Sequence, residues 1–152
     1  MSHPHHDLVS NRRATHDYEI LETFEAGIVL QGTEIKSIRN HGASLQEAYV
    51  KVLNRELWLV GCNITAYTFG NIHNHEAKRE RKLLMHKREI ERFRKATQEK
   101  GLTLIPLALY LKNGKIKVRL AIAKGKKNID KRADLKEKEA ERRMQQAMKS
   151  RE

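Results

Sequence analysis

The residues best suited to chemistry form one run, Lys124-Gly125-Lys126-Lys127-Asn128-Ile129-Asp130-Lys131-Arg132, five of whose nine members are cationic. Such a run neutralises phosphate and releases counterions, so the affinity it supplies falls as salt rises. It follows an alternating segment, precedes a long charged one, and has a glycine at its entrance. A basic body that leads into a basic arm is suited to touching nucleic acid at two places.

Bond-making chemistry has no comparable signature. The chain contains no G-x-x-x-x-G-K-[ST] loop, no H-E-x-x-H and no nucleophile elbow. Cys62 sits in an apolar segment without an activating neighbour and reads as a structural thiol. His73 and His75 form an H-x-H pair, but no further ligand stands nearby at metal-binding spacing, and the three histidines before Asp7 read as a solvated polar end. The carboxylates are scattered among cations, which suits ion pairing. No catalytic residue, metal or cofactor is expected.

The net charge of +12 on 152 residues predicts a polyanionic partner. From Lys124 to Glu152 there are eleven Lys and Arg against six Asp and Glu, so +7 of that charge belongs to residues 1–123. The body therefore needs a basic surface of its own. No apolar run approaches the roughly 18 residues of a membrane span, and Met1–Asp7 lacks the apolar centre of a signal peptide. A single cysteine suits a reducing compartment, so the cytoplasm is expected. Nothing in the pattern calls for an obligate oligomer, and a monomer is expected.

The elements that must hold these residues read as follows. Residues 1–10 are a flexible leader. Asn11-Arg12-Arg13 is a basic approach to an extended segment from Tyr18 to Leu30, bent at Gly27. A short helix follows, capped by Thr33, with Ile35 and Ile38 inward and Lys36 and Arg39 outward; it ends where Gly42 takes the left-handed conformation. Ala48–Leu53 and Glu56–Cys62 make a hairpin about Asn54-Arg55, with Trp58 in the core or barrel wall, or else stacking on RNA. Lys78-Arg79-Glu80-Arg81-Lys82 is a charge run with two readings, a solvated loop or an RNA contact. Met85–Lys100 is a helix that buries Ile90 and Phe93 and stops at Gly101.

Thr103–Leu111 and Lys115–Ala123 then form a hairpin about Asn113-Gly114. In the second strand Ile116, Val118, Leu120 and Ile122 face one way, onto the core, and Lys115, Lys117, Arg119, Ala121 and Ala123 the other. That cationic ladder either protects a sheet edge or faces phosphate. Beyond Arg132 helix formers dominate, but the apolar stripe is too thin to order a helix alone. The tail is expected to be disordered when free and helical when bound. The whole predicts a mainly β protein with helices, an OB-like β-barrel spanning 11–123, followed by a basic tail over 124–152.

These motifs occur together in a known family. Asn11-Arg12-Arg13-Ala14, Phe24-Glu25-Ala26-Gly27-Ile28-Val29-Leu30-Gln31-Gly32, Glu34-Ile35-Lys36-Ser37-Ile38-Arg39, Arg81-Lys82-Leu83-Leu84 and Ala123-Lys124-Gly125-Lys126-Lys127 with Asp130-Lys131-Arg132 resemble the small protein B family, the SsrA-binding proteins. The resemblance runs from Asn11 to about Lys138. It implies an OB-type barrel that binds the tRNA-like domain of transfer-messenger RNA and takes it to stalled ribosomes for trans-translation. It also implies a body near the decoding centre, a tail that becomes helical in the empty mRNA channel, and elongation factor Tu in the delivery complex.

Residue by residue, Asn11, Glu25, Leu84 and Lys117 match family positions for RNA binding. Lys124, Lys126 and Lys127 match the basic entrance to the tail. Asp130, Lys131 and Arg132 match its tagging motif. With the basic neighbours Arg12, Arg13, Lys36, Arg39, Lys82 and Arg119, these make up the expected RNA-contacting set. Glu25 has two readings, an RNA contact through a base or 2′-hydroxyl, or an internal ion pair. Ile129 stands where members carry His or Tyr, and Ala140 where some carry Trp, so stacking at Ile129 is replaced by apolar contact or is dispensable. A ribosomal or assembly protein with an rRNA anchor, and an RNA-processing enzyme, are the competing classes.

Overall fold

The computed structural model describes residues 7–67, 74–99, 101–126 and 139–144. Its elements in order are β1 (Asp7–Ser10), α1 (Ala14–Asp17), β2 (Tyr18–Ile28), α2 (Gly32–Arg39), β3 (Ala43–Ser44), β4 (Tyr49–Leu53), β5 (Glu56–Val60), β6 (Asn63–Ile64), β7 (Arg81–Leu84), α3 (Lys87–Gln98), β8 (Leu102–Lys112) and β9 (Lys115–Gly125). Seven strands form one antiparallel sheet in the order β1-β8-β9-β2-β7-β5-β4, and β3 pairs with β6 apart from it. β4 returns to the side of β8, curling the sheet into a partly closed barrel. Residues 139–144 are helical and exposed.

Alternation decides which face each strand buries. Phe24, Ala26, Leu57, Leu59, Leu83, Leu109, Val118 and Leu120 point into the barrel with Ile38 and Phe93. Phe93 is fully buried, 4.5 Å from the Phe24 ring centre, which pins α3 across the sheet. Two irregularities then change the facing of whole segments. β2 shifts register between Ile20 and Glu22, and β8 between Pro106 and Ala108. An extra residue at each place reverses the alternation. Ile20 and Ile105 thereby join Ala121 and Ala123, which β9's own alternation already turns outward, beneath Ala14 of α1.

The sequence pattern locates the hairpins and α3 well, and several details need correction. Asp7–Ser10 is a strand paired with β8, so the sheet begins inside the expected leader; at the other end β9 runs on to Gly125. Gln31, not Thr33, is the N-cap of α2, in a capping box with Glu34. The left-handed residue after α2 is His41, at φ 59°. Gly42 is needed for space instead, because a Cβ there would lie 2.5 Å from Ser37 Oγ and 2.6 Å from Thr65 Oγ1. Of the readings of Trp58, the barrel wall holds and the core does not: Leu57 and Leu59 face inward, and Trp58 lies partly buried on the outer face of β5 between Lys51 and Lys82.

The charge run over 78–82 is neither a solvated loop nor a uniform cationic strip. Arg81 opens β7 and shares the inward face of Leu83. Its Nε donates to Glu34 Oε2 at 2.5 Å, and both side chains are fully buried. The same guanidinium donates to the carbonyls of Cys62, Arg79 and Ala77 at 2.9, 2.7 and 3.1 Å. Glu34 Oε1 accepts from Arg79 and from the Gln31 N–H. Burial opposes ionisation of Glu34, but Arg79, the Gln31 N–H and Arg81 outweigh it and hold the carboxyl below its usual range. This network ties α2, β7 and the preceding loop together.

Candidate nucleic-acid interface

The outer face of the sheet carries the clearest candidate surface. Gly27 of β2 lies between Lys117 of β9 and Leu84 of β7, and direct partners across antiparallel strands point to the same side. Gly27 has no side chain, so Leu84 can approach: a Cβ there would stand 3.3 Å from Leu84 Cβ. The result is an open depression of about 360 Å³ lined by Glu25, Gly27, Leu84, Met85, His86 and Lys117, among others. Leu84 is 52% exposed, an apolar platform beside one ammonium, Lys117, and two carboxylates, Glu25 and Glu89. Such a combination can receive a base or sugar on Leu84 and a phosphate on Lys117.

Glu25 is fixed by its neighbours. Tyr110 Oη donates to Glu25 Oε2 at 2.6 Å, and Lys112 Nζ lies 3.2 Å from both carboxylate oxygens. The Tyr110 bond, with Lys112 and Lys117 close by, holds the carboxyl below its usual range against the effect of burial. Burial and the Glu25 bond in turn push the Tyr110 phenol well above its ordinary value. Of the two readings of Glu25, the internal ion pair is therefore present, and the carboxylate also borders the depression. Arg119 lies 5.0 Å over the Tyr110 ring and reaches Asp7 at 3.4 Å, with its side chain only 14% exposed. It braces the ladder; Lys117 is the half-exposed member that faces the depression.

A second basic group lies toward the other end of β9, seven residues from Lys117 to Lys124, about 23 Å at strand rise. Arg12, Arg13 and Lys124 are exposed there. Asn11 is structural at this end: its N–H donates to the Leu107 carbonyl at 2.8 Å and its Nδ2 to the Pro106 carbonyl at 3.0 Å, which holds the β8 irregularity. Lys126 reaches α1 through both its backbone and its side chain. Of the remaining expected residues, Lys36 lies over the Tyr67 ring at 5.5 Å, Arg39 is exposed on α2, and Lys82 pairs with Glu56 at 3.2 Å. Lys127, Ile129, Asp130, Lys131 and Arg132 lie outside the described residues.

The fold thus brings Glu25, Leu84 and Lys117 together from three strands, and keeps Asn11 and the basic tail entrance apart from them. Tyr110 and Lys112, which set the state of Glu25, are absent from the sequence-based set. Tyr110 precedes the Asn113-Gly114 turn by three residues and Lys117 follows it by three, so the hairpin register alone places them opposite each other. Glu34 and Arg81 were likewise missed, although period two from Leu83 places Arg81 inward. Among the described residues no group of His, Cys, Asp and Glu is arranged to hold a metal, and no helix is long and apolar enough to cross a membrane. Burial pushes the Cys62 thiol up to about 11, which makes it a poor nucleophile at neutral pH.

Comparison with known proteins adds independent findings. The family model for SmpB protein matches residues 8–150. An SsrA-binding protein of Protochlamydia amoebophila (strain UWE25) is 76% identical over 149 residues, covering 98% of this chain and 97% of its own length. Another, from Geobacillus thermodenitrificans (strain NG80-2), is 51% identical over 144 residues, covering 95% of this chain and 93% of its own. A solved chain from the work called "tmRNA-SmpB: a journey to the center of the bacterial ribosome" superposes with a TM-score of 0.67 at 44% identity, over 83% of this chain and 87% of that one.

Proposed function

The chain belongs to the SmpB family of SsrA-binding proteins, and from that membership and its outer surface we propose an RNA-binding adaptor that captures transfer-messenger RNA and delivers it to stalled ribosomes for trans-translation. It performs no bond chemistry of its own. The observation that carries the reading is the convergence of Glu25, Leu84 and Lys117 on one open depression of the barrel. The three residues come from distant parts of the sequence and match the family's RNA-binding positions.

The surface acts by physical complementarity. Lys117 neutralises a backbone phosphate, and Leu84 gives an apolar seat for a base or sugar. Glu25 holds Tyr110 and Lys112 in place and offers its remaining acceptor capacity at the rim, which penalises ligands that put a phosphate there. Arg12, Arg13 and Lys124, separated from the depression along β9, supply a second phosphate-binding area, and Lys127 adds its charge to the same basic run. Two areas set apart in this way favour an RNA of defined shape over an arbitrary strand. Asp130, Lys131 and Arg132 contact the ribosome, with Ile129 replacing ring stacking by apolar contact. The tail then tests whether the mRNA channel is empty, with elongation factor Tu in the delivery complex and the cytoplasm as the setting.

The test is competitive binding of the full chain to transfer-messenger RNA against ordinary tRNA in moderate salt. The account predicts a clear preference for transfer-messenger RNA that persists as salt rises, because shape selectivity is not a counterion effect. Equal affinity for the two RNAs would reject it.

A further inference from the structure

Lys126 has the composition-level look of one more phosphate contact, but its geometry is that of a latch. Its backbone N–H donates to the Asp17 carbonyl at 2.9 Å, which extends the β2–β9 ladder one step past the Tyr18–Gly125 pair. Its Nζ reaches across the same turn to the Thr15 carbonyl at 2.9 Å. α1 is a single turn, Ala14–Asp17, closed at its end by the Tyr18 N–H bonding to Ala14 O. Carbonyls at a helix C-terminus lack intrahelical partners and need donors from elsewhere. Lys126 therefore serves two carbonyls of α1 at once. Ala14 on the same turn is buried over Ile105, Ala121 and Ala123, so the latch is anchored to the barrel itself.

We propose that Lys126 is a positioning residue: it fastens the root of the C-terminal arm to α1 and so sets the direction in which the chain continues beyond residue 126. The adjacent Lys124 differs. It is exposed and no carbonyl partner holds its ammonium among the bonds of this region, so it stays available to phosphate. Two lysines two residues apart thereby divide the work, Lys124 adding affinity for RNA and Lys126 aiming the arm. The consequence for tagging rests on the function proposed above; the latch itself does not.

The experiment uses the full chain as wild type, Lys126→Met, Lys126→Arg and Lys124→Met. The first readout needs no RNA. Amide hydrogen exchange at residue 126 should speed up about fivefold or more in Lys126→Met, the loss expected for one net hydrogen bond of ordinary strength. It should stay near wild type in Lys126→Arg, whose guanidinium also reaches Thr15 O, and in Lys124→Met. The second readout is the slope of log affinity for transfer-messenger RNA against log salt. Loss of a phosphate contact lowers that slope by about 0.7–0.9. Lys124→Met should show that drop, and Lys126→Met should keep the wild-type slope.

At saturating protein, tagging on stalled ribosomes should fall several-fold in Lys126→Met and recover in Lys126→Arg. Unchanged exchange at residue 126 in Lys126→Met, or a slope reduced as in Lys124→Met, overturns the latch. If wild type shows no preference for transfer-messenger RNA, the proposed function fails while the exchange result still decides the latch.

Discussion

Replacing Arg81 with Met should cost as much stability as emptying a core position, although the residue is charged. Both Arg81 and Glu34 are fully buried. The guanidinium donates to Glu34 and to the carbonyls of Cys62, Arg79 and Ala77, so its loss takes a donor from the buried Glu34 carboxylate and Cys62 carbonyl and from Arg79 O, while Ala77 O keeps the Ile64 N–H. Truncating one partner of a buried ion pair costs about 3–5 kcal/mol, because the remaining charge is left in a poor medium. Over a body of about 120 residues, an unfolding entropy near 2.1 cal/mol/K per residue converts this to a fall in Tm of roughly 12–20 °C. Thermal and urea unfolding measure it directly. A loss below about 1 kcal/mol, the range of exposed pairs, would refute the reasoning.

The same network makes a pH statement. The Glu34 carboxyl lies below its usual range in the folded protein. Its contribution is therefore complete above the unfolded value near 4.3 and is lost as pH falls through the folded value. Acid unfolding should steepen in that window, and Glu34→Gln should flatten it. The double variant Glu34→Leu with Arg81→Met should lose less than the sum of the single losses, since neither charge is then stranded. Additive losses would show that the pair is not coupled.

Three further outcomes are expected. Glu25→Gln should bring the Tyr110 phenol part of the way down, because burial still raises it but the Glu25 charge no longer does; ultraviolet titration of phenolate would show no change if the Tyr110–Glu25 bond were absent. Gly42→Ala should destabilise by about 1–3 kcal/mol through crowding of Ser37 and Thr65, and a wild-type urea midpoint would contradict the packing of that turn. Ending the chain after Lys126 should leave affinity for transfer-messenger RNA largely intact while abolishing tagging; full tagging by the shortened protein would remove the tail from the account.

Much of the barrel could be read from residue order because its strands follow local rules. Asn54-Arg55 and Asn113-Gly114 both take left-handed turns, with φ of 51° and 62°, and of 52° and 75°. The alternation from Ile116 to Leu120 is the burial observed. What failed depended on distant partners. Asp7–Ser10 looks like a leader because its pairing strand lies about a hundred residues on. Ala121 and Ala123 look exposed until the β2 and β8 irregularities bring Ala14 over them. Arg81 looks solvated because its neighbours are charged, and only Glu34, 47 residues earlier, makes its burial tolerable. The family resemblance offers Asn11, Glu25, Leu84 and Lys117 together as expected RNA-binding positions; Asn11 lies apart, and the meeting of the other three around Gly27 is a product of register across three strands.

The most direct measurement is the affinity of full-length Leu84→Ala, Lys117→Met for transfer-messenger RNA, compared with wild type in the same moderate salt. Leu84 is half-exposed and Lys117 points outward, so the fold should survive, as unfolding curves would confirm. Loss of about 1.5–3 kcal/mol from one apolar seat and one phosphate contact predicts binding weaker by about ten- to a hundredfold. The salt slope should fall by about 0.7–0.9. Wild-type affinity and slope in this variant would contradict the claim that the depression around Gly27 captures the RNA.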